Sequence, residues 1–260
     1  MTDLIDSTPF SASLEYADTH QRDVVACTWT LRHGWTTSTI LTLLFGLKRS
    51  ITGGLVAAGY LSEHPTPPNK QLNTRGYPHK LLTVTASGLE FLASNGVIVD
   101  VASVEPIRIT ESQPLRHDTA VQLFTARSLQ LGVISDFVLP KSLGKQSLQG
   151  IKEADMLFVE TERLHALEVE ASRKSNENII NFINKCTSSL QLHGGTCQSI
   201  QIVTDDPSIY KLYFLILYAD DEEIGRQDST IQTSIRQIRT GITFRDNDKL
   251  CVDIWLTPFY

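Results

Sequence analysis

Cysteine is scarce and scattered in this chain of 260 residues. Its four cysteines, Cys27, Cys186, Cys197 and Cys251, include no CxxC pair, which leaves no zinc-ribbon spacing and no disulfide framework. A reducing, cytoplasmic setting is expected. Long apolar runs are lacking too. Leu212–Ala219 is among the longest, well short of the roughly 20 residues of a membrane helix, so no membrane partner is expected. Asp3 and Asp6 stand where a secretory leader would carry basic residues, so no signal peptide is expected. No tyrosine occurs between Tyr77 and Tyr210, a gap that bears on mechanism below. What is present is an apolar fraction of 41%, enough for a core, in a chain long enough for one large domain or two ordinary ones.

The net charge of −6 argues against nucleic acid only until its distribution is read. Between His20 and Thr85 the basic residues Arg22, Arg32, Lys48, Arg49, Lys70, Arg75 and Lys80 face only Asp23 and Glu63. The rest of the chain is correspondingly acidic. A positive module inside an acidic protein is the electrostatic footprint of one part that contacts phosphate and another that does something else.

Within that module, Val24, Val25, Trp29 and Leu31 mark a first helix over 22–32, stopped near His33-Gly34. Thr36–Phe45 opens with capping hydroxyls and then supplies Ile40, Leu41, Leu43, Leu44 and Phe45, which predicts a short second helix. Leu47–Tyr60 spaces Leu47, Ile51, Leu55 and Ala58 along one face and leaves Lys48, Arg49 and Thr52 on another. That segment is the recognition-helix candidate. Two strands joined by a long loop follow, with Lys70, Arg75 and Lys80 in or beside the loop, and Thr85-Ala-Ser-Gly-Leu-Glu-Phe-Leu starts a capped helix. This order resembles the winged helix-turn-helix superfamily over about 75 residues. The resemblance implies a helix in the major groove and a basic hairpin on the backbone of double-stranded DNA, with counterion release by the lysines and arginines.

The expected organisation is α+β in two domains. A tail covers 1–19, the winged helix 20–96, a Pro-containing linker 97–113, and a sheet flanked by helices 114–260. The second domain is predicted to run helix 115–131, strand 133–139, strand 154–160, strand 164–170 and helix 176–192. Strands at 199–204, 210–219 and 251–256 and a polar helix at 229–239 complete it. Glu168 and Glu170 lie two apart on one predicted strand, hence on one face, with Asp155 opening its hairpin partner. Carboxylates brought together repel unless a cation or protons neutralise them, and Mg2+ favours such oxygen ligands.

These residues resemble the PD-(D/E)xK nuclease superfamily, in which an acid and an acid-x-Lys motif sit on adjacent strands after an initial helix. Here Ala154-Asp155 replaces Pro-Asp, and Glu170 stands where that lysine would be. Together with the N-terminal module, Arg116-His117-Asp118, Ala154-Asp155-Met156-Leu157-Phe158 and Ala166-Leu167-Glu168-Val169-Glu170 are similar to the replication-relaxation family, which includes the MOBC-type plasmid relaxases and carries an E-x-E hairpin motif in the same place. The resemblance implies a restriction-endonuclease-like domain that nicks DNA. Mg2+ or Mn2+ would be held by Asp155, Glu168 and Glu170. His117 or Asp118 would approach from the helix, Lys174 would supply the missing positive charge, and mobilisation or replication proteins would be partners. Covalent attack by tyrosine would need Tyr210, Tyr213 or Tyr218, whose apolar surroundings favour core packing, so hydrolysis is the expected chemistry. The second reading is a non-catalytic regulator of transcription or replication, whose degenerate nuclease-like domain serves homodimerisation or partner docking.

Overall fold

The computed structural model describes residues 18–47, 50–66, 79–97, 115–139, 154–160, 163–190, 197–242 and 251–256. It is a mixed α/β structure with two sheets, and the chain divides into two compact units between Asp136 and Phe137. No described helix is long and apolar enough to cross a membrane.

In the first unit, α1 (Thr19–His33) starts where the Asp18 carboxylate accepts from the Gln21 amide at 2.8 Å. It ends at Gly34, whose φ of 81° is the left-handed conformation a side chain resists. Its inner face buries Ala26, Cys27 and Trp29 completely. The Thr37 hydroxyl caps α2 (Ser38–Leu44), and α3 spans only Thr52–Ala57. The expected helix over 47–60 is therefore much shorter, because Gly53 and Gly54 sit inside it and the chain turns at Gly59, φ 76°. Strands β1 (Leu61–Pro65) and β2 (Lys80–Val84) pair antiparallel, and Thr36 adds a bridge to Leu82 on the other side of β2. Thr85 caps α4 (Ala86–Ser94) and donates its hydroxyl hydrogen to the Gly59 carbonyl, which fixes the corner between hairpin and helix.

Helix α5 (Leu115–Gln130) was expected to open the second domain, but it packs with the first unit. Leu115 joins Trp35 and Leu81 in one apolar cluster, and the Gln122 side chain accepts from the Trp29 indole at 3.2 Å and donates to the Trp35 carbonyl at 3.0 Å. These buried polar groups satisfy one another, which makes the docking specific.

The second unit is built on a five-stranded sheet of order β3 (Asp136–Val138), β4 (Met156–Glu160), β5 (Arg163–Val169), β6 (Ser199–Thr204), β7 (Val252–Leu256). The β4–β5 pair is antiparallel; β5–β6 and β6–β7 are parallel. Helix α6 (Asn176–Ser188) connects β5 to β6, and α7 (Pro207–Leu217), α8 (Asp221–Gly225) and α9 (Ser229–Gly241) lie between β6 and β7. Leu157, Ala166, Ile200, Ile202, Val252 and Ile254 form one core with Ile179, Phe182 and Ile183 of α6 and Ile209, Tyr213 and Ile216 of α7.

The segment 210–219 was expected as a strand, but it is helical as far as Leu217. Asp206 caps the Ser208 and Ile209 amides and Pro207 occupies the first turn, a strong helix start. The buried positions Ile209, Tyr213, Ile216 and Leu217 recur at helical spacing.

Candidate functional site

The expected acidic residues lie around one end of β5. Asp155 precedes β4. Its amide donates to the Leu167 carbonyl at 3.1 Å, and its Oδ2 accepts from the Val169 amide at 2.7 Å. Asp155 thus brackets the backbone of Glu168, and extending the β4–β5 register from Met156↔Leu167 by one residue sets the two opposite each other. Cross-strand partners share a face.

Glu168 is paired in register with Ile202 of β6 and is only 4% exposed. Glu170 follows β5 directly. Its amide donates to the Val203 carbonyl at 2.8 Å, and its own carbonyl accepts from the Thr204 hydroxyl at 2.7 Å. Alternation places Ala166, Glu168 and Glu170 on the face covered by α6 and α7, since Ala166 belongs to that core.

A carboxylate moved out of water costs several kcal/mol unless it is compensated. Lys174 is ion-paired with Glu170 across one turn. Its Nζ also lies 4.2 Å from the centroid of the Phe182 ring, a cation–π position. Phe182 in turn meets Tyr213 edge-on at 6.1 Å. Tyr213 is 2% exposed, and its hydroxyl has no hydrogen-bond partner. Burial first, then the charges of Glu170, Cys186 and Glu168, push its pKa far above the usual phenol value. The Cys197 thiol is pushed up to about 11, again by burial first and then by Glu168. Tyr213 was expected in the core as part of a strand over 210–219; it is in the core on a helix instead, which the Asp206-Pro207 start signal would have shown.

The remaining expected site residues are distributed differently. His117 and Asp118 belong to α5 in the first unit, half-buried, with His117 Nδ1 3.3 Å from Asp118 Oδ1. Asp118 lies in the first turn of its helix, where a negative charge is favoured by the peptide dipoles. Of the expected DNA contacts, Lys48, Arg49, Lys70 and Arg75 lie outside the described residues. Thr52 is 6% exposed and its hydroxyl bonds to Ser50 at 2.7 Å and to Ser38 at 3.4 Å, so it ties α3 to α2 rather than facing outward. Lys80 is exposed and pairs with Glu63 on the neighbouring strand at 2.7 Å.

Asp155, Glu168 and Glu170 offer oxygen donors only, the set preferred by a hard divalent cation. Among the described residues no group of three or more His, Cys, Asp or Glu side chains forms a ready-made metal cage. Mg2+ does not need one: it is commonly held by one or two carboxylates, its remaining positions filled by water and substrate phosphate. Asp155 and Glu168 are carboxylates of that kind, while Glu170 is ion-paired with Lys174. No family model, no curated protein and no solved structure matches the chain.

Proposed function

We propose that the chain binds double-stranded DNA through its first unit and nicks it with the second in the presence of Mg2+ or Mn2+. The observation that carries this reading is the setting of Asp155, Glu168, Glu170 and Lys174 at one end of an antiparallel β4–β5 pair, followed by a helix and a parallel strand. That is the arrangement implied by the resemblance to the PD-(D/E)xK nucleases and the replication-relaxation family. Lys174 reaches Glu170 from beyond the strand and so stands in for the lysine that the acid-x-acid motif lacks. The first unit supports the DNA-binding half: three helices, an antiparallel hairpin and a further helix follow one another in the winged-helix order, with Thr36 bridging to the hairpin.

In this reading Asp155 and Glu168 hold the cation and Lys174 holds Glu170 in place. The bound cation supplies activation of water and charge stabilisation on the scissile phosphate. A covalent route through Tyr213 is disfavoured, since its buried phenol holds its proton tightly.

The ion pair itself favours a second reading. Because Lys174 is paired with Glu170, that carboxylate is compensated without a metal, which fits a regulator with an inactive nuclease-like domain. The deciding experiment uses a supercoiled plasmid carrying the DNA that flanks the protein's own coding sequence. With Mn2+ the open circular form should accumulate, and Glu168→Gln should bind the plasmid without nicking it. Binding by Lys48→Ala/Arg49→Ala should show a slope of log K against log salt smaller by about 2. Duplex binding with no nicking under any divalent cation would leave the regulator; loss of both would remove the whole reading.

A further inference from the structure

Among the described residues β7 is paired on one side only, with β6. Its sequence, Val-Asp-Ile-Trp-Leu, is rich in β-branched and aromatic residues and carries a single charge. An open edge of that composition is a template for another strand, because its outward N–H and C=O groups lack partners. Here such groups are occupied by side chains. The Val252 carbonyl accepts from the Tyr218 hydroxyl at 2.9 Å, and the Ile254 amide donates to Asp253 Oδ1 at 2.8 Å. Residues two apart in a strand turn their backbone groups to the same side, so Val252 and Ile254 are the residues that an added strand would have to engage.

The two side chains also hold each other. Asp253 Oδ1 accepts from the Tyr218 hydroxyl at 2.7 Å, and Oδ2 accepts from the Trp255 indole at 2.6 Å. The single O–H proton of Tyr218 is thus shared between a strand carbonyl and the strand's own carboxylate. Tyr218 ends α7, so the phenol reaches β7 from the end of a packed helix. Asp253 is exposed and is the one charge of the strand. In a symmetric antiparallel pair of β7 strands centred on residue 253, it would face its own counterpart, and like charges set directly opposite are unfavourable.

We infer that Tyr218 and Asp253 form a lock on the outer edge of β7 that keeps a second copy of the chain from adding its own β7 there. The inference is independent of the DNA and metal readings. It constrains the regulator reading, since a homodimer of the unaltered chain would use another surface.

The test is sedimentation velocity over a range of concentrations on the full-length chain and on Tyr218→Phe/Asp253→Ala. The variant should form a larger species than the unaltered chain at the same concentration. Asp253→Cys in the Tyr218→Phe background should cross-link residue 253 to residue 253 under mild oxidation, because a pair centred there brings the two Cβ atoms within disulfide reach. Peptide mapping identifies the bond. An unchanged sedimentation profile overturns the inference. So does a larger species without that cross-link, because association then runs through another surface. Should the variants fail to fold, hydrogen exchange on the unaltered chain decides. The Ile254 amide should be protected, and exchange at the rate of an unstructured peptide overturns the inference, since its bond to Asp253 is then absent.

Discussion

The ammonium group of Lys174 is ion-paired with the carboxylate of Glu170 four residues earlier, where β5 gives way to the turn before α6. The two ends of the pair see different surroundings: the Glu170 side chain is 3% exposed and that of Lys174 33%. The lysine ammonium lies over the Phe182 ring and keeps part of its hydration, as long cationic side chains do at the rim of a core. A second carboxylate on the acid-x-acid strand is thereby supported without a lysine on the strand itself.

Removing that support should be costly. Lys174→Met removes the ammonium group that is ion-paired with the buried Glu170 carboxylate, for which about 3 kcal/mol is expected, at the low end of the usual range because Lys174 is partly hydrated. Urea unfolding of Lys174→Met, Glu170→Gln and the double variant measures it. The double variant should recover most of the loss. If Lys174→Met alone is neutral, the pair does not hold the end of β5.

Gly88 and Gly54 should respond in opposite directions to alanine. A Cβ on Gly88 would press into the Tyr60 carbonyl and come within 2.8 Å of Val84, where α4 docks against the hairpin. Overpacking of this kind costs about 1–3 kcal/mol. At Gly54, inside α3, the added methyl meets nothing within 4 Å, and alanine should stabilise by roughly 0.5–1 kcal/mol. Thermal melts of the two variants would separate the cases.

Most of the first unit is legible locally, because its elements start and stop on residues that carry their own signals: Gly34 after α1, Thr37 before α2, Thr85 before α4. The pairing of Glu168 and Glu170 on one face follows from strand alternation alone. What escaped is tertiary or mixed in signal. Nothing within 115–130 says that Gln122 will bond Trp29 and Trp35, so the sequence grouped α5 with the strands that follow it. The aromatic and aliphatic run from Tyr210 satisfies a strand as well as a buried helix, and only Asp206-Pro207 decides between them. Thr52 looked available on a helical wheel, yet its hydroxyl is taken up by Ser38 and Ser50.

The buried thiols give a pH dependence of known sign. Burial, aided by Asp23, pushes Cys27 up to about 12, and Cys197 stands at about 11. Both groups hold their protons more tightly folded than unfolded. Their contribution is complete below the ordinary thiol value of 9.0 and is lost as pH rises from there through about 11 and about 12. Stability measured by urea should therefore decline above pH 9, and less steeply in Cys27→Ala relative to that variant's own value at pH 8. At pH 8 the native chain should give one fast thiol with a disulfide reagent, the half-buried Cys251, and all four after unfolding.

Asp155 has a structural duty that must be separated from any role in chemistry. Its Oδ2 accepts from the Val169 amide at 2.7 Å just before the chain enters β4. Alanine would remove the acceptor and strand a backbone N–H, at a cost of about 1–3 kcal/mol where water cannot replace it. Asparagine keeps an oxygen in the same place and removes only the charge. Asp155→Asn should therefore unfold within about 1 kcal/mol of the unaltered protein, since a neutral acceptor forms a somewhat weaker bond than a charged one, while Asp155→Ala should be clearly less stable. If Asp155 also helps to hold a cation, both variants should lose Mn2+ affinity alike, because an amide oxygen lacks the charge that offsets dehydration of the ion. Urea denaturation and Mn2+ titration on the same preparations resolve the two duties. Equal stability of the alanine and asparagine variants would show that the Val169 bond contributes nothing, and unchanged Mn2+ binding by Asp155→Asn would take Asp155 out of the metal site.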